Sequence, residues 1–261
     1  MKFRSIIALL CVAFLSSTVT TNAQRFKEAE KTFQLNADGK VYIDTYKGEI
    51  KIETWDKPEV HVYAKMVPDE SGFMGTSPKK QLERVDVEFD SSPDELEIKS
   101  AYEKDHSWFG NNTLALVNYE IQMPKTASLK IKDYKSETKI NGVHSAIELE
   151  TYKGEVHVKD LAGSIDLETY KGEIDVAFSK LTNNSSFDTY KGEIEITVPK
   201  NTSFTVDADL DRKADLNTNL GLEDRGNRKK HGGYEFTKDI NGGGSVIKIS
   251  SGKGEIRLYE R

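Results

Sequence analysis

The sequence is almost without cysteine: Cys11 is the only one in 261 residues. A disulfide framework and a cysteine-based zinc site are therefore excluded. A basic excess is lacking too. With 37 Lys and Arg against 43 Asp and Glu, the net charge is −6. That argues against a general nucleic-acid binder, because neutralising phosphates needs surplus cations. Long apolar runs are also missing. The run Ile6 to Leu15 spans about 15 Å as a helix, too short for a hydrocarbon core of ~30 Å. The end, Ile256 to Arg261, carries no wall-sorting or GPI-type signal.

What is present begins with that short run. Lys2 and Arg4 precede it, and Ser and Thr residues follow, ending in Thr21-Asn22-Ala23. This is the layout of a secretory signal peptide, with cleavage expected after Ala23. Cys11 lies in mid-run behind Leu9-Leu10, which does not suit lipidation. Removing residues 1–23 takes away two cations and no acid, so the remaining 238 residues move from −6 to −8 and hold no cysteine. The expectation is an exported chain (periplasmic, cell-surface or secreted) with no integral membrane segment after the leader.

A repeat organises the rest. Thr-Tyr-Lys-Gly-Glu followed by Ile or Val begins at Thr45, Thr151, Thr169 and Thr189. Degenerate copies are Asp133-Tyr134-Lys135-Ser136-Glu137-Thr138 and Ser251-Gly252-Lys253-Gly254-Glu255-Ile256. Ser136, Gly154, Gly172 and Gly192 are spaced 18, 18 and 20. Apolar residues alternate before each motif (Ile147/Leu149, Ile165/Leu167) and after it (Val156/Val158, Ile174/Val176). Period-two alternation means strands with one buried face. Gly48, Gly154, Gly172, Gly192 and Gly254 then mark corners, where a left-handed backbone is expected.

A chain of β-hairpins or a parallel β-solenoid would satisfy this pattern. Tyr-Lys-Gly-Glu exceeds the favoured two-residue hairpin turn and lacks its Asn-Gly signature. The same residue at the same place every 18 positions is what stacked coils produce. The sequence therefore predicts an all-β, single-domain β-solenoid (β-helix) with coils of 18–20 residues, occupying 24–261. Within it, 56–125 reads as an antiparallel, sandwich-like elaboration, 129–206 as regular coils, 211–244 as a degenerate coil and loop, and 245–258 as the last coil. Coils ~4.8 Å apart would stack Tyr134, Tyr152, Tyr170 and Tyr190 into a ladder, each contact contributing ~0.5–1.5 kcal/mol. Lysine and glutamate columns beside it are expected to offset one another.

This layout resembles the bacterial "putative adhesin" family of exported β-solenoid domains. The resemblance rests on Val41-Tyr42-Ile43-Asp44-Thr45 with Gly48, on Glu53-Thr54-Trp55-Asp56, on Met123-Pro124-Lys125, on the corners at 151–156, 169–174 and 189–194, and on Asn241-Gly242-Gly243-Gly244 ahead of the final corner. It covers about 35–258. Tyr-Lys stands where the family commonly has small polar residues, and Ser136 replaces one corner glycine. The resemblance implies a surface or envelope role. It implies no catalytic residue and no ligand, and some members sit beside envelope-stress regulators.

Candidate chemistry is sparse. His61, His106, His144, His157 and His231 form no metal-ligand spacing. Glu155, Glu173 and Glu193, flanked by Glu150, Glu168 and Asp188, form acidic columns, but the glycine- and aspartate-rich repeat of calcium-binding coils is missing. No catalytic residue, metal or cofactor is assigned. A carbohydrate-active enzyme on the same scaffold, or a protein partner of an envelope-stress system, are the alternatives to a binding protein. The candidate binding residues are Tyr134, Tyr152, Tyr170 and Tyr190, with Trp108 and Phe109 in the loop 105–110, since exposed aromatics anchor interfaces. Ser71 to Gly75 is a weaker loop of the same kind. The basic cluster Arg228 to His231 reads as a solvated loop, so the partner expected is an envelope glycan or protein and not nucleic acid.

Overall fold

Alternating apolar residues form strands throughout. The computed structural model describes residues 26–71, 76–103, 113–222, 227–230 and 232–261, and among them are fifteen strands and one short helix. In chain order these are β1 (Lys27–Gln34), β2 (Lys40–Asp44), β3 (Lys47–Trp55), β4 (Glu59–Val67), α1 (Pro78–Glu83), β5 (Val85–Ser91), β6 (Glu95–Tyr102), β7 (Leu116–Pro124) and β8 (Ser128–Asp133). There follow β9 (Lys135–Asn141), β10 (Ala146–Leu181), β11 (Ser185–Val198), β12 (Phe204–Thr218), β13 (Asn227–Arg228), β14 (Gly233–Ile240) and β15 (Ser245–Glu260). The chain is all-β, and every strand joins one mixed sheet.

The motif-bearing strands pair in parallel with like opposite like. Lys47, Gly48 and Glu49 face Lys135, Ser136 and Glu137, and Lys171, Gly172 and Glu173 face Lys191, Gly192 and Glu193. Side chains that alternate inward therefore form apolar columns. One runs Ile98, Ile43, Ile131, Leu149 on registered partners, and another runs Leu167, Phe187, Ile249, Ala208. All eight are essentially sealed from solvent, and each large member contributes about 1.5–3 kcal/mol by its burial.

Spatial order departs from chain order at both ends. The first motif strands, β2 and β3, lie between β6–β7 and β8–β9, pairing in parallel with both. The last, β15, is inserted between β11 and β12, again parallel to both. All six motif copies are thereby contiguous, in the order 45, 133, 151, 169, 189 and 251. The reading of 245–258 as a coil beyond the degenerate one does not hold, because β12 lies outside it.

The segment 56–125 is likewise not purely antiparallel. β6 and β7 extend the parallel stacks, while β4 and β5 run antiparallel on their outer sides and β1 covers β4. At the opposite end β14 runs antiparallel on the first half of β12, and β13 on β14. An end strand of a parallel stack exposes unpaired backbone groups. Here it is followed by antiparallel strands, and β1 at the margin carries four charged residues in eight.

The corner glycines have a different cause from the one the sequence suggests. Among them, only Gly48 (φ 144°) and Gly254 (φ 136°) have positive φ. What the others share is proximity. A Cβ on Gly154 would lie 2.1 Å from the carbonyl oxygen of Ser136, one on Gly172 1.9 Å from that of Gly154, and one on Gly192 1.8 Å from that of Gly172. Each of these three corners sits on the backbone of the one before it, leaving no room for a side chain, whereas Ser136 fits at its own corner with its side chain buried. Gly172→Ala is therefore expected to lower the unfolding free energy by about 2–3 kcal/mol, read from the midpoint of a urea titration, with Lys171→Ala close to neutral.

Candidate functional site

In each corner the backbone turns outward side chains into columns. Thr45, Thr151, Thr169, Thr189 and Ser251 point inward and are buried. The following Tyr points out, and Lys and Glu flank the glycine. Between the lysine and glutamate columns runs a groove of about 890 Å³ along all six corners, floored by the glycine backbone. Five intervals at strand pitch make it ~24 Å long. Asp69, Ser71, Leu116 and Asn118 close one end. Lys47 Nζ donates to Asp69 at 2.6 Å, and Asn118 Oδ1 accepts from the Glu49 amide at 3.0 Å. Burial alone would raise the Asp69 carboxyl; Lys47 and Ser71 instead hold it down to about 2.

The tyrosines do stack. Tyr46, Tyr134, Tyr152, Tyr170 and Tyr190 have centroids 4.8–5.0 Å apart and ring planes within 10° of parallel. Tyr46 joins the four the sequence placed in the regular block, and at its far side Tyr102 meets it edge-on. The inner rings thus cover one another's faces and present edges and hydroxyls. Tyr190 differs: Gly252 follows it in place of a sixth tyrosine, and it is 61% exposed against 39% for Tyr152. Trp108 and Phe109 lie outside the described residues, as do His106, His231, the leader 1–23 and most of the Ser71 to Gly75 loop.

The charge columns do not neutralise one another as expected. All the glutamates but Glu173 turn to residues two places further along the strand. Lys139 binds Glu137 at 2.5 Å and Glu49 at 3.3 Å, and Arg257 binds Glu193 and Glu255 at 2.8 and 2.9 Å. The His157 ring lies 3.9 Å from both Glu155 and Asp175. The hydrogen bond from Lys139 holds Glu137 below the usual carboxylate range, and bonds to Glu193 raise Arg257. Across the groove, Lys135, Lys153, Lys171, Lys191 and Lys253 have no carboxylate within 4.0 Å among the described residues. Their one nearby aromatic contact is Lys153 Nζ, 5.2 Å from the Tyr152 ring. Like charges a strand pitch apart repel by about 1 kcal/mol in water. The lysine column is therefore not a device for stability. Sequence reasoning saw both columns but missed their separation; Lys139, His157 and Arg257, each two residues beyond a corner glutamate, were the available signal.

One corner carries a carboxylate inside. Asp133 takes the position of the inward threonines, and both its oxygens are shielded from water without a hydrogen bond of good geometry. Burial pushes it up to about 6, although the hydroxyls of Thr151 and Ser136 and the amides of Lys135 and Ser136 oppose the shift. At the next corner Thr45 instead exchanges a 2.8 Å hydrogen bond with Ser100, which reaches Tyr119 at 2.7 Å. The remaining histidines are scattered, His61 near Glu30 on β1 and His144 between β9 and β10. Among the described residues no three His, Cys, Asp or Glu side chains are grouped to hold a metal, and no helix is long and apolar enough to cross a membrane.

These elements define an all-β repeat protein with a charged groove and an aromatic ladder along its aligned corners. The chain belongs to the Toastrack DUF4097 family, whose model matches residues 39–259. This is a domain of unknown function, in keeping with the resemblance carried by the corner motifs. Similar solved structures include a "putative cell adhesion protein" from Clostridium sporogenes, 15% identical, with TM-score 0.46 over 90% of this chain and 100% of that one. A "putative adhesin" from Bacteroides fragilis is 9% identical, with TM-score 0.33 over 90% and 97%. A "putative lipid binding protein" from Parabacteroides distasonis is 10% identical, with TM-score 0.32 over 88% and 96%. Among curated proteins none matches the sequence.

Because the Asp133 pKa is raised in the folded state, its contribution to stability is present below pH 4 and lost as pH rises through 6. Asp133→Asn should therefore match the wild type near pH 4 and exceed it by roughly 2–3 kcal/mol at pH 7.5, measured by denaturant titration at both pH values.

Proposed function

We propose that this chain is an exported, non-catalytic binding or scaffolding protein of the bacterial cell envelope, built as a β-solenoid of 18–20-residue coils from residue 24 onward. The carrying observation is the contiguity of six corners. Folding requires the glycine floor and the inward residues of each corner. It does not require that Tyr, Lys and Glu recur outward at nearly every one. A surface repeated beyond the needs of packing is suited to a partner that is itself long or repetitive. The amino-terminal leader pattern supports export, and a cysteine-free mature chain is compatible with an oxidising compartment.

Trp108 and Phe109 belong to the same reading as a second contact point, since two large aromatics among polar residues suit an interface. The scattered histidines give no support to a hydrolytic centre.

The full chain, tagged at its C-terminus and expressed in a bacterial host, should be recovered outside the cytoplasm with its N-terminus at Gln24. It should be retained on isolated envelope material. A Tyr152→Ser/Tyr170→Ser/Tyr190→Ser variant with unchanged circular dichroism should be retained several-fold less. Cytoplasmic recovery of the unprocessed chain would overturn export, and equal retention of the variant would remove the tyrosines from the binding face.

A further inference from the structure

The lysine column is the feature that neither folding nor internal charge pairing explains. Elsewhere on this acidic chain several lysines find carboxylates, as Lys125 with Asp56, Lys130 with Glu148, Lys132 with Glu150 and Lys229 with Asp209. Others, such as Lys51, Lys99, Lys159 and Lys180, have none within 4.0 Å among the described residues but stand in no common furrow. In the groove only Lys47, at its closed end, is matched, by Asp69. The five that follow share one wall of a continuous furrow and are held in register by the parallel pairing of their strands.

A line of cations at fixed pitch calls for a line of anions. The opposite wall narrows the choice. It is made of glutamates, so a ligand with negative groups along both edges would be repelled there. A ligand whose second edge carries hydroxyls would donate hydrogen bonds to those same carboxylates. Glu173, with no cation within 4.0 Å among the described residues, is free to accept them. Beyond the lysines the tyrosine hydroxyls offer further polar contacts. Single-stranded nucleic acid fits poorly, because it is held by base stacking on open aromatic faces. Here the rings are stacked on each other, with Tyr190 alone presenting a face.

We propose that the groove binds an extended acidic polysaccharide lengthwise, its anionic groups on the lysine column and its hydroxyls on the glutamate column. This rests on the reading of the chain as a binding protein and gives that reading a ligand class.

Calorimetric titration of the full chain with polygalacturonate at 50 mM salt should show binding, and neutral dextran should show none. Lys135→Gln/Lys153→Gln/Lys171→Gln should weaken binding by about fivefold per lysine removed and flatten its salt dependence. Its melting temperature should not fall, because repulsion is relieved. Lys153→Arg/Lys171→Arg, which keeps the charge, should bind like the wild type. Glu155→Gln/Glu173→Gln should favour inorganic polyphosphate over the uronate relative to wild type.

Tighter wild-type binding of polyphosphate or oligo-dT than of polygalacturonate would overturn the proposal. So would equal uronate affinity in a folded lysine-to-glutamine variant, or no acidic glycan bound at all. If envelope material is still retained in any of those cases, the polysaccharide assignment fails and the binding reading stands. If nothing is retained, both fail.

Discussion

The structure depends on one steric fact: at the glycine corners the chain lies so close to the backbone of a neighbouring strand that no side chain can intervene. With a Cβ on Gly172 or Gly192 placed under 2 Å from a neighbouring carbonyl oxygen, glycine is required by contact between backbones. Once corners seat in that way, register is fixed, since a slip of one residue would bring a side chain onto the seat and turn every apolar residue outward. Like residues are then forced onto like. The tyrosine ladder, the lysine and glutamate columns and the apolar columns inside all follow from this single seating.

Forced likeness has different consequences for different side chains. Aliphatic columns and stacked rings gain from it. Charged columns lose, and the chain treats the two signs differently. On the glutamate side, Lys139 and Arg257 each span two corners and pin pairs of carboxylates, with His157 lying between. On the lysine side such an acid is supplied only to Lys47, by Asp69, among the described residues. A repeat under only structural demand would neutralise both. The asymmetry leaves a groove with a cationic wall and an acidic wall, a polar arrangement formed without any irregular loop.

The ends follow another logic. Parallel strands at the limit of a stack leave backbone groups unpaired. Here the first and last motif strands in sequence are drawn one layer inward, and strands of different character take the outer places. Antiparallel strands from the intervals 56–125 and 219–244 then cover those outer layers, over only the first half of β12 at the far end. The long interruption between the first and second motif copies, and the shorter one before the last, thus supply the covers at the two ends.

The repeat, its strand periodicity, the tyrosine ladder and the family were legible in the sequence, because period-two alternation and an 18-residue recurrence are local in nature. The reason for the glycines was not, since a close carbonyl comes from a residue distant in sequence and leaves no mark beside the residue it constrains. Nor was the insertion of β2–β3 and β15 between their neighbours, because strand order depends on which edges remain free after folding. Asp133 reads in sequence as one more polar corner residue; its buried carboxylate exists only once Thr151 and Ser136 close over it. The sequence by itself determined which residues alternate inward and which recur at each corner. Only the tertiary structure decided which charges meet, because pairing depends on reach across strands, and there most of the groove glutamates found partners while, beyond Lys47, the lysines of the groove did not.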